Sequence, residues 1–313
     1  MSFPVFDLHC DTLSRMVWQG EGLDRNSGHI DLERAGELPG YAQCFACFTT
    51  PKKLHSEDVS PLLSFERQLA IFQREMDRNS GRIAIAYSAE DIQENQKLGL
   101  MSGVLTIEGP AGFDYDPALL PDLYLAGFRM TTLGWNEENP LTGSHITGGG
   151  LTLQGRAYVE EAQRSGMIVD VSHISDEGFW DIMDITCKPV IASHSNSRSV
   201  CDVSRNLTDD MFRAICQTGG VAGLNMYGMF IGGDGSLNAA CDHILHWLEI
   251  DPEGKHIALG GDLDGCDNLL ADFGGVQDYP VLARRLSERV VGEHTLANLF
   301  WNNALEVFRR CCT

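Results

Sequence analysis

Short apolar runs recur along this chain, and the stretches between them space their apolar residues differently. Strand-like runs fall at Val5–Leu8, Cys44–Phe48, Ile83–Tyr87, Val104–Ile107, Gly127–Thr131, Met167–Val171, Val190–Ala192, Val221–Asn225 and Ile257–Leu259. The intervening segments read as helices. Leu62–Met76 carries apolar residues at helical spacing, Ala89–Leu98 opens with an acidic first turn, and Arg156–Ser165 stops just before Gly166. Such alternation predicts parallel strands joined by crossover helices. Nine runs are one more than an eight-stranded barrel needs, so either Cys44–Phe48 or Ile83–Tyr87 is expected outside the ring. The expected fold is α/β, a (β/α)8 TIM-like barrel forming one domain over residues 1–313. A doubly wound open sheet is the rival, but no Gly-x-Gly-x-x-Gly turn follows the first strand. Gly148–Gly150 and Gly260-Gly261 are read as turn glycines.

Composition narrows the function classes. The chain has 313 residues, 43% hydrophobic and 21% charged, an ordinary globular balance. No apolar run approaches a bilayer span, and no basic region precedes an apolar stretch at the N-terminus, so a cytoplasmic protein without membrane attachment is expected. Asp and Glu number 44 against 23 Lys and Arg, a formal charge of −21, which would repel a phosphate backbone and argues against nucleic acid as a partner. Ten cysteines show no disulfide framework. Cys44 and Cys47 are read as core, and Cys311 and Cys312 are expected as surface thiols.

Candidate chemistry lies at the ends of the strands. The first run breaks into His9-Cys10-Asp11, and alternation in a strand sends residues i and i+2 to one face, so an imidazole and a carboxylate converge there. Val104–Ile107 delivers Glu108, Ile168–Ser172 delivers His173, Val190–Ser193 delivers His194, and Ile257–Gly261 delivers Asp262. In a barrel all of these lie at the C-terminal face, where this fold builds active sites. Singly, each residue reads more simply as a helix cap or a satisfied surface group. Together they suit two divalent ions about 3.5–4 Å apart. Glu108 would bridge them, with His9 and Asp11 on one ion and His173 and His194 on the other. A hydroxide held between the ions favours hydrolysis, with Asp262 placed to take its proton and pass it to a leaving amine.

The order His9-x-Asp11, Glu108, Val171-Ser172-His173, Ser193-His194-Ser195 and Gly261-Asp262-Leu263-Asp264-Gly265 resembles the membrane or renal dipeptidase family, peptidase family M19, a branch of the metal-dependent amidohydrolase barrels. The likeness extends through Gly150–Gly155, Arg205-Asn206 and the terminal Asn302–Phe308 segment. It implies a distorted βα barrel, two zinc ions bridged by a glutamate, and dipeptide substrates. It also implies that Arg205 grips the substrate's C-terminal carboxylate, that Tyr227 lies on the substrate side, and that a D-residue is accepted at the C-terminal position. The family's animal enzymes carry a loop histidine after the fourth strand, and a gapless match puts Leu133 there. His145, on its Gly-flanked loop, is expected to take over as oxyanion donor, with Asn136, near the substrate, or a metal alone as the alternatives. A homodimer is the default assembly. Rival readings keep the metals and change the bond, to a lactone, cyclic amide or phosphoester, or keep the metals without catalysis.

Overall fold

The computed structural model describes residues 3–51 and 59–312. All nine predicted strands form: β1 (Val5–Cys10), β2 (Tyr41–Phe48), β3 (Ile83–Ile85), β4 (Met101–Glu108), β5 (Phe128–Thr132), β6 (Ile168–Asp170), β7 (Val190–Ile191), β8 (Ala222–Leu224) and β9 (Ile257–Leu259). Every pairing is parallel, in the order β7-β6-β5-β4-β2-β1-β9-β8. A bridge between Ala192 and Ala222 joins the two ends of that path, closing an eight-stranded ring. The strand left outside is β3. It pairs only with Met101–Gly103 at the start of β4, whereas β5 takes Leu105–Ile107 on the same edge. The long β4 thus serves an outer strand at its beginning and the ring at its end.

The helices form where capping chemistry allows. Ser60, Ser88, Thr152, Ser175 and Thr208 each accept a backbone N–H from the first turn of the helix that follows. Gly20, Gly166 and Gly219 end helices in the left-handed conformation. Their apolar faces pack on the outside of the ring. Inside it, Phe6, Leu8, Cys44, Val104, Met130, Ile168, Ile191 and Ala258 form a second cluster with Trp301, Leu305 and Phe308 of the C-terminal segment. Phe6 lies 5.9 Å from the Trp301 ring and 5.2 Å from Phe308, and Asn303 donates to the carbonyls of Gly254 and Ile257. The C-terminal helix, Asn303–Cys311, therefore plugs the barrel's N-terminal end and leaves the opposite mouth for chemistry. This corrects the expectation of surface thiols: Cys311 and Cys312 are buried in that plug. Cys44 and Cys47 are core.

One irregularity in β1 matters more than the rest. Asp7 pairs with Gln43 and Cys10 with Phe45, so Leu8 and His9 together oppose the single residue Cys44. This is a β-bulge, which bends a strand and re-aims a side chain. Leu8 stays in the inner cluster, and His9 turns inward with it, stacked on His194 at 3.7 Å.

Candidate metal centre

Five strand ends bring their ligand-type residues to one point. His9 Nε2 lies 3.3 Å from Asp11 Oδ2, 3.4 Å from Glu108 Oε2 and 4.0 Å from Asp262 Oδ1. The other oxygen of Glu108, Oε1, lies 3.1 Å from His173 Nε2 and 3.8 Å from His194 Nε2. Glu108 thus offers one oxygen to each of two groups of donors. Asp11 sits at the N-cap of helix Thr12–Gln19 without capping it, because its side chain turns to the cluster instead. His173 and Asp262 both adopt left-handed backbone, φ 71° and 56°, strain that non-glycine residues adopt rarely and that clusters at functional sites. Gly265 has a steric reason: a Cβ there would collide with Asp11 Oδ2 and Asp262 Oδ1.

Burial and charge set the protonation of these groups. Burial pushes Glu108 up to about 8, with the Asp11 charge adding to it. Burial likewise raises Asp262 to about 6, against the attraction of His9. For His9 burial acts downward, but the Glu108 and Asp11 carboxylates outweigh it and hold the imidazole well above its ordinary value. His173 and His194 are driven well below theirs, by burial first and then by Arg205 and His9 respectively.

The donor set fits divalent metal. Asn136 Oδ1 lies 3.0 Å from His173 Nδ1; an amide oxygen only accepts, so Nδ1 carries the proton and Nε2 presents a bare lone pair. That lone pair faces Glu108 Oε1 at 3.1 Å and His194 Nε2 at 2.9 Å, an arrangement that calls for a cation. Among the described residues Asp11 Oδ1 is buried without a hydrogen-bond partner, a second orphaned lone pair at the same place. Candidate ion-holding groups are His9 with Glu108 and His194, and His9 with Asp11 and Asp262.

A cavity of ≈ 290 Å³ opens above this cluster, lined by Asp11, Glu108, His173 and Asp262 below and by Trp18, Phe48 and Trp135 at the sides. A larger cleft of ≈ 780 Å³ lies by the C-terminal plug, among Lys255, Arg309 and Arg310, whose cations are paired with Glu253 and Glu306; it is remote from the cluster.

The remaining predicted residues fall in different places. Arg205 is buried beside the centre, its guanidinium 5.6 Å from the Phe230 ring and donating through Nη1 to Ser195. Burial lowers it to about 10, opposed by Asp262, Asp170 and Glu108. Its Nε and Nη2, on one edge of the guanidinium, have no hydrogen-bond partner among the described residues. Tyr227 stacks edge-on against Phe230 at 4.8 Å. Leu133 is buried in the core, while Trp135 stands at the cavity wall, 6.4 Å from the His173 ring. One expectation changes. His145 has no ring donor left for an oxyanion: Nε2 meets Asn136 Oδ1 and Nδ1 meets Ser204 Oγ, both at 3.0 Å, and burial lowers its pKa to about 4. His145 instead buttresses Asn136, and Asn136 spends its oxygen on two imidazoles.

Sequence reasoning missed the supports. Asn225 Nδ2 donates to Asp262 Oδ2 at 3.0 Å and fixes that carboxylate. Asp7 accepts from the backbone of His9 and Gly261, both at 3.0 Å, and from the Tyr279 hydroxyl, tying the end of β1 to that of β9. Asp7 and Asp170 were visible in the sequence as single acids inside apolar strands, which is a signal in itself.

A family model described as membrane dipeptidase, peptidase family M19, matches residues 1–312. The chain belongs to this family. It is therefore a metal-dependent dipeptidase, a hydrolase of peptide bonds. An uncharacterised protein of the pqqA 5' region of Klebsiella pneumoniae is 34% identical over 257 residues, 78% of this chain and 94% of that one. Dipeptidase 3 of Homo sapiens is 29% identical over 99% of this chain, which spans 65% of that protein's length. Among solved structures, a metallopeptidase from Rhodobacter sphaeroides, bound to a phosphinate mimic of the dipeptide L-Ala-D-Ala, superposes with a TM-score of 0.89 at 24% identity, over 99% of this chain and all of the other. The dipeptidase AC, a family M19 metallopeptidase, gives the same TM-score and identity over 100% of this chain and 99% of its own. These likenesses support the barrel.

Proposed function

We propose that this dipeptidase works with two zinc ions, one held by His9, Asp11 and Glu108 and the other by Glu108, His173 and His194. When bound, the pair supplies Lewis acidity, activating water and polarising the scissile carbonyl. Asp262 takes the proton of the attacking water on Oδ1 and returns it to the amine that leaves, while Asn225 keeps Oδ2 occupied and the carboxylate oriented.

Arg205 carries the restriction to dipeptides. Its Nε and Nη2 form one edge of a planar fork, both buried and both unpaired, which matches the two oxygens of a carboxylate. The charges of Asp262 and Glu108 act on this guanidinium, so it lies near the cluster, and the anion it receives is read as the C-terminus of a substrate with one residue beyond the scissile bond. Trp18, Phe48 and Trp135 line the cavity and offer aromatic surface to the substrate. The deciding experiment compares a dipeptide with its C-terminal amide, in the wild-type protein and in Arg205→Ala. The wild type favours the free acid by about 10-fold or more, and the variant loses that preference. Equal turnover of acid and amide by the wild type would remove Arg205 from substrate binding. A parallel panel of lactones and phosphodiesters, with added zinc, tests whether the bond is a peptide bond.

A further inference from the structure

Behind His194 lies a buried chain of hydrogen bonds that the metal centre itself does not account for. β6 and β7 end side by side inside the barrel, and between them sits Asp170, 1% exposed. Its Oδ1 accepts the backbone N–H groups of Ser172 and Ser193, both at 2.9 Å. Its Oδ2 meets the Ser193 hydroxyl, and Ser193 Oγ in turn lies 2.6 Å from His194 Nδ1. Ser172 Oγ completes the group: it accepts from the His194 backbone N–H at 3.2 Å and stands 3.3 Å from Ser193 Oγ. Ser172 and Ser193 are both buried.

Counting protons fixes the direction of this chain. A hydroxyl has one proton to give, and a carboxylate only accepts. Were Ser193 to donate to His194, its oxygen lone pairs would face Asp170 Oδ2 with no proton between them, a repulsion in a buried setting. Ser193 therefore donates to Asp170 and accepts from His194 Nδ1–H. Ser172, which accepts from the His194 backbone, is free to donate to Ser193 Oγ, and every member is satisfied. His194 is left with a bare Nε2, directed at His173 Nε2 and Glu108 Oε1.

We propose that Asp170 and Ser193 are positioning residues that lock His194 in its Nδ1–H tautomer and so hold Nε2 ready to ligate; the ligand role rests on the two-zinc reading above. The two imidazoles of this side are locked by unlike devices. His173 leans on the neutral amide of Asn136, whereas His194 leans on a carboxylate through a hydroxyl. Partners of this kind fix ring orientation and strengthen the ligand, and losing one typically costs about 10–100-fold in metal affinity.

The test reads the tautomer directly, by histidine 15N NMR on the full chain, first stripped of metal and then loaded with zinc, with His194 assigned from a His194→Gln sample. The wild type without metal shows a protonated Nδ1 and a bare Nε2 at His194. Asp170→Asn is the informative variant. Its remaining oxygen keeps the two backbone bonds, but its amide donates to Ser193 and reverses the chain, so His194 shifts to the Nε2–H form. Zinc affinity, measured by chelator competition, then falls about 10–100-fold at one of two sites. Ser193→Ala mixes the tautomers, and Ser193→Thr restores the Nδ1–H form. An Nε2–H signature in the wild type, or an unchanged His194 spectrum in a folded Asp170→Asn, overturns the proposal. If Asp170→Asn does not fold, the wild-type spectrum and the Ser193 pair decide. Because the tautomer is read without metal, a failure of the two-zinc reading would show separately, as absent or single-site zinc binding with the tautomer intact.

Discussion

The two sides of the centre are built on opposite electrostatic plans. On one side His9 is surrounded by Asp11, Glu108 and Asp262, and burial in this crowded setting raises Glu108 to about 8 and Asp262 to about 6. On the other, His173 and His194 are buried and held neutral, with their lone pairs exposed to each other and to Glu108. A proton is what the first side lacks least, and a cation is what the second side lacks most. A metal ion answers both: it displaces protons from crowded acids and separates facing lone pairs. Glu108 belongs to each side through a different oxygen, and the contrast depends on it.

Removing that shared residue gives the largest effect. Glu108→Gln is expected to lower kcat/KM by on the order of 1,000-fold, the several kcal/mol that a Lewis-acid site supplies, and to reduce bound zinc at both positions. Zinc analysis of the purified variant checks this; loss from one position alone would mean that the two sides are independent. Asp262→Asn touches the acidic side without removing a proposed ligand. It should cost about 100-fold in kcat while zinc content stays at the wild-type value. A parallel fall in zinc would move Asp262 from proton carrier to ligand.

The sides also separate by pH in the metal-free protein. Glu108 and Asp262 have folded values raised to about 8 and about 6, above the ordinary 4.5 and 3.8, so the folded state holds protons that the unfolded chain has already released. That favours folding at low pH, and the contribution is lost as pH rises through those raised values. His9 acts in the same sense, because its folded value is raised above 6.5. His173 and His194 act oppositely: their folded values lie below 6.5, so their contribution is lost as pH falls below it. Melting curves between pH 6.5 and 8.5 should show the metal-free protein weakening, with a Tm gain from zinc that grows with pH. A gain that shrinks over this range would contradict the acidic side's assignment.

The smallest effect is expected at His145. It supports Asn136, which supports His173, so His145→Ala should cost about 10-fold or less in kcat/KM, through weaker zinc binding on the imidazole side. A loss of about 100-fold in kcat at full zinc occupancy would restore it as an oxyanion donor.

Much of this architecture was legible before any coordinates. Strand runs and capped helices follow from local residue order, so all nine strands and the parallel crossover pattern could be read directly. The ligand inventory was legible for a related reason: each of these residues alone reads as a cap or surface group, but five strand ends carrying ligand types together do not. Trp135 and Leu133 show where such reading stops. Residue order does not say which side chain of a loop faces the core and which the cavity; the turn of the loop sends Leu133 inward and Trp135 to the cavity. His145 shows the same limit, since it meets Ser204, 59 residues away, and Asn136, which is itself tied to His173, 37 residues on.

The chain's order of residues determined the barrel and the set of donors, because strand periodicity and helix capping act over a few neighbours. Tertiary structure alone decided which strand stayed outside, that Leu8 and His9 share one place opposite Cys44, and that Asp170 reaches His194 through Ser193. Those outcomes depend on register and on the meeting of adjacent strands, and a linear pattern contains neither.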